Sequence, residues 1–207
     1  ETYDLGHRIV NGDPTDELLD GQDPDKLFCE RDIAYLREET NDHEGGRMVI
    51  VLPKQNLSGT NDGSTEFRNW LLKRVQITAV VDLPREAFQP HTGTKTSLIF
   101  LKKVKHVAED YPIFMAVSEC VGHDRRGLPL YKKDESGKDL LDENGNKVIW
   151  NDLPEILAQY REYEKRGMLL DKKKDGAPSC FVVQAKDIFA DKTRRIDAWY
   201  WDPNKNN

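Results

Sequence analysis

The stretch FRNWLLKRVQITAVVDLPREAFQPHTGTKTSLIFLKK, residues 67–103, carries two apolar runs joined by a polar loop too short for a crossover helix. Phe67, Trp70 and Leu71 fall on one helical stripe, and Ser64 stands where a helix cap belongs. Residues 77–84 and 96–103 read as strands; residues 84–95 between them have room for a turn or one short helical segment. Working outward, residues 48–52 form another unbroken apolar strand, preceded by Gly45 and Gly46 and closed by Pro53. A run without polar alternation is expected to be covered on both faces, as in a parallel sheet beneath crossover helices. A helix is expected over residues 24–39: Cys29, Ile33 and Leu36 follow an i, i+4, i+7 pattern that Leu27 and Ala34 broaden, with Asp23 as cap and Pro24 in the first turn. The order of helix, strand, helix, strand, loop, strand places the chain in the α/β class.

Residues 1–23 are acidic, rich in turn formers and weakly periodic, so they build no core of their own. Downstream, residues 113–117 suit a strand or short helix, and the turns DESG (134–137) and DENG (142–145) suit a surface hairpin. Asp152 and Glu155 have capping-box spacing ahead of Leu153, Ile156, Leu157 and Tyr160. Residues 172–176 read as a loop and 180–189 as a strand and turn; no internal repeat is visible.

Composition removes several classes. A net charge of -6 argues against a globally basic nucleic-acid footprint, though clusters at 102–105, 125–126, 172–174 and 194–195 leave room for local ones. Cys29, Cys120 and Cys180 are isolated, so they read as reduced thiols in or near the core, not as a disulfide framework or zinc cluster. No apolar run approaches the ~18 residues that a bilayer requires, and the opening residues carry no leader pattern, so the expected location is cytoplasmic, away from membranes. The chain has no Gly-Lys-Ser/Thr phosphate loop, no His-Glu-x-x-His, no Gly-x-Ser-x-Gly and no Cys-x-x-Cys, and no metal is expected.

In an α/β sheet, function gathers in loops beyond the strands' C-terminal ends. Residues 84–95 form the richest of these, with a Phe88 ring, a His91 imidazole, Thr92 and Thr94 hydroxyls and a Lys95 charge. Each has a structural alternative. Phe88 can plug its own loop, His91 can bond within it, and Lys95 can simply open the strand. Asn56 and Ser58 fit turn roles, and Asp82 a local cap or salt link.

At residues 45–59 (GGRMVIVLPKQNLSG), 67–103 and 110–131 (DYPIFMAVSECVGHDRRGLPLY) the sequence resembles the N6-adenine DNA methylases of type I restriction-modification systems, both modification subunits and methylase-specificity fusions. The resemblance spans residues 28–131. It implies a partial Rossmann-like S-adenosylmethionine-dependent methyltransferase sheet with a C-terminal α+β extension. Residues 48–52 would be its fifth strand, 77–81 its sixth, and 97–101 an antiparallel seventh inserted between them. It also implies direct methyl transfer from S-adenosylmethionine to adenine N6, with no covalent protein intermediate. The family's glycine-rich cofactor loop and its Asn-Pro-Pro-Phe motif do not occur in these 207 residues. The chain is therefore expected to be a C-terminal fragment holding no catalytic or identified cofactor-binding residue, and inactive alone. Residues 1–103 would be the C-terminal half of the catalytic domain and 104–192 a connecting extension with hairpin and helix. Residues 193–207 would begin a target-recognition region, because RRIDAWYWDP (194–203) resembles the Arg-Leu-Asp-x-x-Tyr-Tyr-x-Pro opening of such regions.

On this resemblance Phe88 walls or stacks on a flipped adenine, with His91, Thr92 and Lys95 as pocket or DNA-backbone contacts. The implied partners are double-stranded DNA, a specificity subunit or fused recognition domain, and a restriction subunit. The alternative is a non-catalytic assembly module that docks on a specificity or restriction subunit through residues 152–166, using Ile156 and Leu157.

Overall fold

The computed structural model describes residues 3–170 and 178–205; the loop expected at 172–176 lies outside the described residues. The acidic N-terminal stretch forms a hairpin of β1 (His7–Val10) and β2 (Asp13–Leu18). Its turn is Asn11-Gly12, with φ of 52° and 83°, the left-handed pair that a two-residue hairpin favours. Helix α1 (Pro24–Tyr35) stops short of residue 39. Cys29 and Ile33 face inward and Ala34 is exposed, while Asp23 makes no side-chain cap and pairs instead with Lys26 at 2.9 Å.

Strand β3 (Arg47–Pro53) leads through α2 (Lys54–Ser58) to α3 (Asp62–Arg74), β4 (Val75–Asp82) and β5 (Thr96–Lys103). Phe67, Trp70 and Leu71 are buried as expected, but the cap of α3 is Asn61, whose side chain accepts from the Ser64 amide at 2.8 Å. Next come β6 (Pro112–Val117), α4 (Leu153–Arg166), β7 (Ser179–Gln184), α5 (Ala185–Ala190) and α6 (Ala198–Trp201).

The main sheet has the order β3-β5-β4-β6-β7. Strand β5 is antiparallel to both β3 and β4, so it lies reversed between two strands of common direction. Strand β6 runs parallel to β4, and β7 antiparallel to β6. One face packs Ile77, Val80, Ile99, Leu101, Ile113 and Met115 against α1, α3 and α5. The other packs Ala79, Val81, Phe114 and Ala116 against Ile156 of α4, with Phe100 and Phe114 touching the Tyr160 ring. The expectation that residues 48–52 are covered on both faces fails. Strand β3 lies at the sheet edge, where α4 approaches Arg47 through Glu164 at 3.9 Å but leaves Val49 and Val51 exposed.

Two further expectations are corrected around α4. Asp152 does not cap the helix: its buried carboxylate accepts from Ser118 Oγ (2.6 Å) and the Glu119 amide (2.6 Å), closing the end of β6. Ile156 is spent on the sheet and only Leu157 is exposed, so the two do not share a docking face. Between β6 and α4 the chain does carry a repeat. Asp124, Asp134 and Asp142 each open an Asp-x-x-Gly turn, each accepting through Oδ1 from amides two and four residues on, and each ending in a glycine of φ near +80°. The 180–189 segment is a strand followed by helix α5, not a turn. All three cysteines are buried, and burial pushes the Cys29 thiol up to about 12. No helix among the described residues is long and apolar enough to cross a membrane.

Candidate functional site

Because β3, β4 and β6 run the same way, their C-terminal ends share one rim with the starts of β5 and β7. Asp82, the last residue of β4, sits at the centre of that rim and is buried. Its carboxylate accepts from Lys54 Nζ (2.7 Å), Ser97 Oγ (2.6 Å) and the Trp199 amide (2.9 Å). Lys54 also lies 3.7 Å from Asp197, which Arg195 holds through two nitrogens at 3.1 and 3.3 Å. The salt link expected of Asp82 therefore exists, but it joins segments 28 and 117 residues away. Asp197 and Trp199 lie in the stretch 194–203, but no periodic or motif signal links them to Lys54.

A second buried anchor supports this rim. The guanidinium of Arg68 in α3 donates to the carbonyls of Asn56 (2.8 Å), Gly59 (2.7 Å) and Thr193 (2.6 Å). Burial lowers its pKa to about 10, opposed by the nearby Asp197 charge. Arg68 so ties the α2–α3 corner to the segment that delivers Asp197 and Trp199. Asn56, read as a turn residue, lies buried in α2, with its amide bonded to Asp25.

Residues 84–95 leave the rim from Asp82 and return at Thr96. The roots are pinned by Leu83 N–H to Thr96 O (3.0 Å) and Lys54 N–H to Lys95 O (2.8 Å). A short 3-10 turn, Arg85–Phe88, fills the first part. The amides of His91 and Thr92 both donate to Phe88 O at 3.1 Å, bringing these three residues onto one turn, while Lys95 stands apart at the start of β5. Ala87, not Phe88, packs against the hydrophobic cluster below, and the Phe88 ring remains 40% exposed. His91, Thr92 and Lys95 are exposed, and Thr92 Oγ1 bonds Thr94 Oγ1 at 3.1 Å. Among the described residues Gln89 Oε1 and Thr96 Oγ1 are buried without a partner, an arrangement that natural folds tolerate chiefly where a ligand or water completes the bonding. Sequence reading passed over both.

A reversed strand between two parallel neighbours, helices on both faces and a polar rim at the strands' C-terminal ends define a partial Rossmann-like methyltransferase fold. The chain belongs to the N-6 DNA Methylase family, whose model matches residues 29–190. Comparison with curated proteins gives no match. Among solved structures, a chain from a study of complex assembly and conformational transition of the type I R-M system aligns with TM-score 0.54 and 19% identity, over 90% of this chain and 33% of that one. The EcoKI M protein of a type I restriction enzyme aligns with TM-score 0.50 and 13% identity, over 84% of this chain and 37% of that one. At these identities the likeness concerns the fold. The chain spans about a third of the length of these relatives.

Proposed function

We propose that this chain is part of an N6-adenine DNA methyltransferase of a type I restriction-modification system, and that residues 84–95 form one wall of its target-base pocket. The observation that carries this reading is the exposed Phe88 ring on a loop whose two roots are pinned to the rim, in a chain of the N-6 DNA Methylase family. An enzyme that modifies a base takes it out of the stack, at a cost of a few kcal/mol that aromatic contact partly offsets. A ring already held in position offers that contact with little further ordering. Gln89 supplies an acceptor next to it in the chain, Thr92 a hydroxyl, and His91 and Lys95 reach the pocket edge or the DNA backbone.

S-adenosylmethionine is the methyl donor of the proposed reaction. The glycine-rich loop by which the family holds this cofactor does not occur in these 207 residues, so no residue of this chain is assigned to it. The partners we propose are double-stranded DNA, a specificity subunit or fused recognition region beginning within residues 193–207, and a restriction subunit. Residues 1–103 then belong to the catalytic domain and 104–192 to its connecting extension, although the sheet itself takes strands from both. The test is transfer of labelled methyl groups to DNA, with digestion to nucleosides. A longer protein containing this chain should yield N6-methyladenine and the 207-residue chain alone none. Label on another base, or none from the longer protein, would overturn the reading; turnover by the chain alone would overturn its dependence on further sequence.

A further inference from the structure

We propose that Trp199 is a stacking platform for an unpaired DNA base, placed at the root of the loop that carries Phe88. The inference rests on the DNA-methylase reading and adds to it a contact surface from the opposite end of the chain. Three aromatic residues stand in a row in α6. Two have structural work: the Tyr200 and Trp201 rings meet edge-on at 5.1 Å, Trp201 Nε1 donates to Arg195 O at 2.8 Å, and the Tyr200 hydroxyl donates to Asp191 at 3.2 Å. Trp199 has none. Its ring is 49% exposed, and its indole N–H has no partner among the described residues.

An isolated exposed aromatic is ordinary on a protein surface. Trp199 differs in how it is held and in what surrounds it. Its amide is fixed to the buried Asp82 carboxylate, and its flanking residues Asp197 and Ala198 are fully buried, so the ring projects from an immobile base. Asp82 also binds Ser97 and ends the strand from which residues 84–95 depart. The ammonium groups of Lys54 and Lys205 lie over the ring, 5.6 and 5.7 Å from its centroid, and Lys205 also lies 4.9 Å from the Tyr200 ring. Lys54 is neutralised by Asp82, whereas Lys205 has no carboxylate partner among the described residues and bonds only the Tyr200 carbonyl. A π-face beside a cation with no carboxylate partner among the described residues matches a nucleobase and its phosphate, the combination that single-stranded nucleic-acid sites use.

The test compares two short labelled duplexes by fluorescence anisotropy with the 207-residue chain, one fully paired and one with an adenine opposite an abasic site. Trp199→Ala should weaken binding of the unpaired-adenine duplex by about 5- to 150-fold, the range of one lost base–aromatic stack. Trp199→Phe should stay near wild type, and the paired duplex should change little in either variant. Equal binding by Trp199→Ala and wild type, an equal loss on both duplexes, or no binding by the wild-type chain would each overturn the platform. Phe88→Ala in the same assay separates the two ideas. Loss there with a neutral Trp199→Ala removes the platform and keeps the pocket; the reverse keeps the platform and removes the pocket wall. Unchanged circular-dichroism melting of Trp199→Phe guards against misfolding as the cause.

Discussion

Replacing Asp82 by alanine should unlock the rim at one stroke. The substitution leaves the fully buried Ser97 hydroxyl without its acceptor, frees the Trp199 amide, and leaves Lys54, whose side chain is only 20% exposed, facing Asp197 at 3.7 Å. An orphaned buried donor costs about 1–3 kcal/mol. Removing one partner of a buried ion pair costs about 3–5 kcal/mol. These contributions share the same relaxation and do not add, so about 3–5 kcal/mol in all is expected. For a chain of this size each kcal/mol moves Tm by about 2–4 °C, giving a fall of about 6–20 °C. Urea and thermal unfolding followed by circular dichroism read it directly. Asp82→Asn keeps the shape and one acceptor and should fall between. In a cycle with Lys54→Met, the double variant should be less destabilised than the sum of the singles by more than about 1 kcal/mol, because the two groups touch. Asp82→Ala within about 1 kcal/mol of wild type, or an additive cycle, would refute the claim that one carboxylate holds three segments together.

Two other perturbations probe the supports. Arg68→Met keeps the apolar stem but strips donors from the carbonyls of Asn56, Gly59 and Thr193, and should cost about 3–5 kcal/mol in urea unfolding; hydrogen exchange should show residues 193–201 opening first, and uniform protection there would contradict it. Burial raises the Cys29 thiol from 9.0 to about 12, so the folded state holds this proton more tightly than the unfolded chain. Its stabilising effect is complete below pH 9 and is lost as pH rises toward 12, at about 1.4 kcal/mol per pH unit. Unfolding free energies measured at pH 8 and pH 10.5 should show a shallower alkaline decline in Cys29→Ala than in wild type; identical slopes would refute the assignment.

Much of the sheet was legible because burial writes it into composition. The runs at 48–52, 77–84 and 96–103 are apolar since their strands are sheet elements, and the polar loop between the last two is too short for anything but a reversal. What failed were the local side-chain roles. Asp23 and Asp152 sit at cap positions but give their carboxylates to Lys26 and the end of β6, while Ser64 lies inside α3, which Asn61 caps. The two-sided cover expected for residues 48–52 failed because apolar composition does not report whether a helix reaches the edge strand. The Asn11-Gly12 hairpin was readable from its turn pair but was hidden in an acidic, weakly periodic stretch. At the site, Phe88 announced itself as an aromatic in a polar loop. The Lys54, Asp82, Asp197 and Trp199 group could not, since its members are scattered over more than a hundred residues and meet only when the rim forms.

The central claim is that the loop of residues 84–95 walls the pocket for a flipped adenine. Its most direct test is single-turnover methylation by a longer protein containing this chain, on DNA with adenine at the target position, comparing wild type, Phe88→Tyr and Phe88→Ala. Phe88→Tyr should stay near wild type while Phe88→Ala should lose about 5- to 150-fold in the rate of methyl transfer, as expected for one base–aromatic contact, with its melting temperature unchanged. Full-rate transfer by Phe88→Ala would contradict it and assign the loop a structural role only.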